Sequence, residues 1–300
     1  SFEHGRCIRR YPVTMRRHFL FPPLYNRGIV LIAVLWMVAA LSIVVMGIVR
    51  SVPEESRVVS RARQSVEALA LGDAAIQIVL QSMSSQQVLV SRANRVEVLY
   101  RGVPMTVQVM PLNGLIDING ASVQLLSSLY AIAGGLSVDG AEALAQATVA
   151  ARERKDSKGA AARFEAIEDL LQVPGVDYSL YARLSGLITA DLRGGGKVNP
   201  LAAPLEVLTV LAGGNASVAT RIAADREAGS EGIDTTALAA GFTDNTTVRR
   251  FRIEARVPMV DGAWFRISRR VDLGSRARSG VPWHTFSSSH RFEPVGSKDL

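Results

Sequence analysis

The chain has 300 residues, 48% hydrophobic and 20% charged, a balance that supports a packed core and excludes a disordered polymer. Its formal net charge is +7, but residues 1–27 hold six arginines against Glu3, a local +5, so only +2 remains for residues 28–300 and a strongly basic nucleic-acid-binding body is excluded. The single cysteine, Cys7, excludes an internal disulfide and a multi-thiolate metal site.

The first element is a short basic leader. Met15 is read as its start, with the residues before Met15 taken as upstream sequence, and it ends at Arg27-Gly28. From Ile29 to Val49 come 21 residues without a charge, bounded by Arg27 and Arg50. As helix, that run is roughly 30 Å long, the thickness of a bilayer core. Only Ser42 and Gly47 interrupt its apolar surface, where a soluble helix would show a polar stripe. The basic flank is N-terminal, which places the N-terminus in the cytoplasm and the rest of the chain in the periplasm. The run is too long for the core of a secretory signal peptide, and no small-x-small site follows it before Pro53. A plain signal anchor is one reading. The other is a prepilin-type leader, short, basic and ending in glycine, cut between Gly28 and Ile29 so that the whole helix stays on the mature protein.

Pro53 is expected to kink or briefly break the helix. Residues 54–83 then continue it, with Val58, Ala62, Val66, Leu69, Ile76 and Leu80 at roughly helical spacing. Val96–Tyr100 and Met105–Val109 read as a strand pair around the turn Arg101-Gly-Val-Pro104. Residues 120–240 are alanine-rich and helical in pattern, punctuated by glycines, with Gly194-Gly-Gly196 read as a flexible connector. Val248–Val257 and Ala263–Leu273 form a second hairpin around Met259–Gly262, with Phe251, Ile253 and Ala255 alternating with charged residues. The last residues, Ser/Arg-rich and without a period, read as a loose tail.

The expected fold is therefore α+β: an N-terminal transmembrane and stalk helix plus an antiparallel sheet, with a large all-α domain inserted between two hairpins. The boundaries are a leader over 1–28, the transmembrane and stalk helix over 29–83, a first β part over 84–115, the helical insert over 116–245, a second β part over 246–274 and the tail over 275–300. Within the insert, Ile116, Ala121, Leu126 and Leu129 recur 82 positions later as Val198, Ala203, Leu208 and Leu211, and each segment is followed by a glycine pair. Asn119 and Asn199 read as turn or N-cap residues where the chain leads into each copy.

These residues resemble the K-type minor pseudopilins of the type II (general) secretion pathway. The resemblance rests on the Arg27-Gly28 junction, the lead-in segments Asp117-Ile-Asn119-Gly-Ala121 and Val198-Asn199-Pro-Leu-Ala-Ala203, and Phe164–Val176, and it spans Arg27 to about Leu273. It implies a pilin-like fold, cleavage by a prepilin peptidase after Gly28 and N-methylation of Ile29. Shaft pilins carry glutamate at the fifth mature position, where it pairs with a neighbour's free N-terminus. Here that position is Ala33, as in K-type subunits. A buried carboxylate in a bilayer is costly without a partner, so its absence suits a subunit at the tip. The implied partners are the I-type and J-type minor pseudopilins, the inner-membrane secretion platform, the lipid bilayer and exported protein, with no nucleic acid. The resemblance also implies calcium as a candidate stabiliser of the globular region. Asp225, Glu227, Glu231 and Asp234 lie in a glycine-containing stretch and read as solvated surface charge, so no metal ligand is assigned.

A reading from another class is a membrane-tethered helix-hairpin-helix DNA binder of the competence type, resting on Leu171-Gln-Val-Pro-Gly-Val176. Against it, Asp177 stands where a second glycine is usual, and Glu165, Glu168 and Asp169 repel phosphate. No catalytic constellation appears. His4 and His18 lie in the leader region, His284 and His290 in the tail, and no nucleotide loop or metalloprotease motif is present. The chain reads as a structural protein and not an enzyme.

Overall fold

The computed structural model describes residues 27–294 except 87–89, 156–158, 160, 193, 231, 261, 276, 278 and 279, and leaves the side chains of 27–30 and 44–61 undescribed. The leader up to residue 26, with Met15, and residues 295–300 lie outside the described residues. The chain divides into two units, Ser1–Arg61 and Ala62–Leu300.

Helix α1 is assigned over Arg27–Gln86, 60 residues, and runs through Pro53. The helix assignment is not broken at Pro53, since a proline removes only one backbone hydrogen bond from a helix. In the second unit, α1 buries Ala68, Gly72, Ala75, Ile76, Val79, Leu80 and Met83, residues four, three or one apart that form one face. Val66, expected on that face, is 68% exposed. Small residues, and not the large apolar ones, mark the first turns of the contact.

That face covers a five-stranded antiparallel sheet. Strands β1 (Asn94–Tyr100) and β2 (Val103–Pro111) form a hairpin, and β5 (Arg250–Pro258), β6 (Trp264–Asp272) and β7 (His284–Glu293) follow in the order β1-β2-β5-β6-β7. The inward positions of β2, β5 and β6, among them Met105, Val107, Phe251, Ile253, Val257 and Ile267, join the α1 face in one core. Strand β7 corrects the loose tail expected over 275–300: it pairs with β6 from Trp264↔Glu293 to Asp272↔His284. The strand is illegible in the sequence because it is an edge, exposed at almost every position, so no alternation marks it.

Everything between β2 and β5 forms the insert. It starts with a 3-10 turn (Leu112–Gly114) and β3 (Ile116–Asp117), then helices α2 (Val123–Ile132) and α3 (Val138–Glu153). A 3-10 segment (Ile167–Gln172), α4 (Tyr178–Leu184) and β4 (Ile188–Thr189) close its first half, and α5 (Leu205–Leu211) and α6 (Ala216–Glu227) form the second. The two segments of the 82-residue echo lie in similar surroundings. All eight matched apolar residues are at most 1% exposed. The segment leading into each half is bridged in parallel by that half's exit: Ile116 with Ile188, and Val198 with Thr243. Asp117 and Asn199 occupy equivalent buried places, and each side-chain Oδ1 accepts a hydrogen bond from the amide two residues on, from Asn119 and from Leu201, both at 3.0 Å. Ser122 and Pro204 are the N-cap residues of α2 and α5, so neither asparagine is a cap.

Two local features predict measurable changes. A Cβ on Gly72 would lie 2.0 Å from Ile267 Cδ1 and 3.1 Å from Val257 Cγ2. Gly72→Val is therefore expected to destabilise the full-length protein by about 2 kcal/mol through overpacking, with part recovered by Ile267→Val in the double variant, as measured by denaturant titration. The β1–β2 turn places Arg101 at φ 51 and Gly102 at φ 79, both in the left-handed region that a type I′ turn requires. Arg101→Asn should raise stability by about 0.5–1 kcal/mol, since asparagine tolerates that conformation better than arginine.

Candidate functional site: an apolar helix and two polar joints

In the first unit, every residue from 31 to 43 is exposed. Leu31, Leu35, Trp36 and Ile43 are each more than 70% exposed, and no charge interrupts them. The one hydroxyl, Ser42 Oγ, donates to the Val38 carbonyl at 2.8 Å and so needs no outside partner. A helix bare on all sides with its polar groups satisfied internally can be covered by lipid or by other apolar helices, and by little else. Ala33 lies in this exposed stretch, and the backbone at Arg27, Gly28 and Ile29 is helical. Residues 62–86 are also long and apolar enough to cross a membrane. Their buried face already has an occupant in the sheet, and their other faces carry Arg63, Glu67 and Asp73, whereas the run Ile29–Val49 carries no charge.

The first polar joint ties the insert together at the start of its first half. Asn119 is a three-way staple: its Nδ2 donates to the carbonyls of Phe164 (2.9 Å) and Ala190 (3.1 Å), and its Oδ1 accepts from the Phe164 amide (2.9 Å). Beside it, Asp117 is 2% exposed, and its Oδ2 has no hydrogen-bond partner among the described residues. Burial pushes the Asp117 carboxyl up from 3.8 to about 6, against the Asn119 amide and the Arg163 and Arg152 charges, which favour the ionised form. Both arginines direct donors to backbone instead, Arg152 to Ile118 O (2.9 Å) and Arg163 to Leu192 O (3.3 Å). Gly196 closes on this joint: it sits at φ +60, and a Cβ there would fall 1.8 Å from the Gly120 carbonyl. The glycine run read as a flexible connector thus ends in a fixed close contact.

The second joint links the insert to the sheet. Asn199 Nδ2 donates to Ser91 O (2.6 Å), the Asn199 backbone amide to Asn113 O (2.7 Å), and Asn113 Nδ2 to Thr246 O (2.7 Å). Asp191 accepts from Arg270 at 2.9 Å. These bonds hold the points where the chain leaves and rejoins the sheet.

The remaining singled-out residues have structural occupations. Asp177 Oδ1 caps α4 by accepting from Leu180 N at 2.7 Å, and Asp169 Oδ2 accepts from the Glu165 and Ala166 amides. The stretch around Val173–Asp177 therefore carries the carboxylates of Asp169 and Asp177, which repel phosphate. Asp234 bonds Thr236, which holds its carboxyl below the usual range, and no group of three metal-ligating side chains occurs among the described residues. His290 stacks on Phe265 at 5.6 Å between ring centres.

The Asp117 joint predicts a pH dependence. The folded carboxyl titrates above its unfolded value of 3.8, so the fold disfavours its ionised form. This group's contribution to stability is greatest below the unfolded value, falls as pH rises toward about 6 and is flat above it. The loss is on the order of 3 kcal/mol. Asp117→Asn, which copies the equivalent Asn199, should be more stable than the parent at neutral pH, with the advantage shrinking as pH falls toward 4. A difference in melting temperature that stays constant across that range would show that Asp117 does not titrate there.

No protein-family model and no curated protein matches the sequence. Among solved structures, the chain is similar to one in the GspK-GspI-GspJ complex of the type 2 secretion system from enterotoxigenic Escherichia coli, at 14% identity and a TM-score of 0.47, over 77% of this chain and 99% of that one.

Proposed function

We propose that this chain is a K-type minor pseudopilin, the tip subunit of a type II secretion pseudopilus, with a structural role in starting and capping the assembly and no enzymatic activity. The observation that carries the reading is the start of α1. Arg27-Gly28 abuts 21 uncharged residues, and the helix that begins there is one-sided by Ala68, where it serves as the spine of an antiparallel sheet. One helix that is apolar all round at its start and amphipathic at its end suits a subunit anchored in a bilayer and carrying a folded head.

In this reading the leader stays in the cytoplasm, and a prepilin peptidase cuts between Gly28 and Ile29. The new N-terminus at Ile29 is N-methylated, and Ile29–Val49 remains as a single inner-membrane span with the head in the periplasm. The exposed face around Ala33 and Leu35 packs against the apolar helices of I-type and J-type minor pseudopilins. Ala33 supports the tip position because it offers no carboxylate to a subunit above. The insert enlarges the head, which faces exported protein.

The test is photo-crosslinking from Leu35 of the full-length protein in its host membrane. Adducts with small single-span pseudopilins are expected. With the crosslinker kept at position 35, Leu31→Glu should abolish them, since a charge in the span costs about 3 kcal/mol. Adducts with lipid alone, or with proteins lacking a pilin-type helix, would refute the assembly role.

A further inference from the structure

The sheet face opposite α1 holds an arrangement that its own stability does not explain. Arg250, Arg252, Glu254 and Arg256 alternate along β5, and Arg266, Ser268 and Arg270 along β6. The register sets Arg252 directly across from Arg270, Arg256 across from Arg266, and Arg266 across from Arg291 on β7. Like charges at opposed positions destabilise a sheet. Acidic groups answer most of them: Glu254 (3.2 Å) and Glu293 (2.6 Å) reach Arg266, Asp191 reaches Arg270 (2.9 Å), and Glu293 lies 3.4 Å from Arg256 and from Arg291.

Arg252 is paired through its Nε alone. Its Nε lies 3.4 Å from Glu254, and its terminal fork donates to the sulfur of Met110 at 3.3 Å, a weak acceptor. Among the described residues no oxygen accepts from that fork. Burial, with crowding by Arg270, Arg266 and Arg291, draws its pKa below the usual arginine value. Arg252 also lies where three cavities meet. Volumes of 490, 580 and 360 Å³ open between the sheet and the insert, and each is lined by Arg252, Glu254 and Arg266. They share this floor, and each is far larger than one small anion. At one end Ser268, Ser287 and Ser289 lie beside Glu165, Glu168 and Asp191, whereas the other two cavities add Arg95, Arg183, Arg226 and Arg256 against Glu206 and Glu227, so the positive charge gathers there.

We propose that this slot binds an extended acidic segment of another polypeptide, with the Arg252 fork holding a side-chain carboxylate and the segment running toward the arginine-rich cavities and away from Glu165 and Glu168. A planar guanidinium with an unsatisfied fork matches a carboxylate in bidentate geometry. Cavities of this size suit a strand with several carboxylates, and the crowded guanidiniums gain a counter-charge when it enters.

The full-length protein in detergent, titrated at low ionic strength with fluorescent hexaglutamate, tests this. Hexaglutamine and inorganic phosphate serve as comparators, and Arg63→Gln, on the exposed side of α1, is the charge-matched control. Hexaglutamate should bind and hexaglutamine should not. Arg252→Gln should weaken binding about tenfold while Arg63→Gln leaves it unchanged. Glu254→Gln removes the carboxylate that competes for Arg252 and Arg266 and should tighten binding, a gain that misfolding cannot produce. Equal binding of hexaglutamine, equal effects of the two arginine variants, or no tightening by Glu254→Gln would overturn the proposal. Displacement by phosphate at concentrations no higher than those of the peptide would assign the site to a free anion and overturn the polypeptide reading.

Discussion

The seat of α1 on the sheet at Gly72 is the constraint on which the head depends. A helix and a sheet pack closely only where side chains between them are small or interlock, and here the absence of a single Cβ lets Ile267 and Val257 reach the helix backbone. Ala68 and Ala75 extend the same close approach by one turn on each side, before Ile76, Leu80 and Met83 fill the widening gap. A sheet covered on one face in this way is free to use its other face for polar chemistry. Its outward arginines follow from that division of labour.

The insert depends on a different device. Its two halves repeat one solution: a short extended lead-in, a buried Asp or Asn closing a tight turn, a helix pair, and an exit that bridges the lead-in in parallel. The halves differ where they meet the rest of the molecule. In the second, the Asn199 side-chain amide reaches Ser91, ahead of β1, and so ties the insert to the sheet. In the first, Asp117 holds the same place with Oδ2 unpartnered among the described residues, and the stapling falls to Asn119 two residues later. The same backbone requirement is thus met by an amide in one half and by a buried carboxyl in the other.

Much of this architecture is legible in the sequence, because strong periodicity survives translation into burial. The alternation of Phe251, Ile253 and Ala255 with charges marks β5, and the 82-residue echo marks two lead-in segments whose matched residues are equally buried. What the sequence hides has physical reasons. Strand β7 lies at the edge with almost every residue exposed, so its composition resembles a tail. The buried face of α1 begins with alanine and glycine, which carry little hydropathy signal, and hydropathy favours the exposed Val66 instead. Local rules make Asn119 a turn former, whereas its partners lie 45 and 71 residues away. The arginines of β5 are visible as a polar face, but their opposition to the arginines of β6 and β7 is a matter of register between strands.

The apolar start of α1, the arginine slot and the joints of the insert are consistent with one molecule whose helix serves assembly and whose head serves recognition. The most direct test of that division is intact mass and N-terminal sequencing of the protein extracted from membranes of a host with and without prepilin peptidase. A mature chain that begins at a methylated Ile29, and only when the peptidase is active, is the predicted result. A chain that retains Arg27-Gly28 in the presence of active peptidase would contradict it and leave α1 as an ordinary anchor.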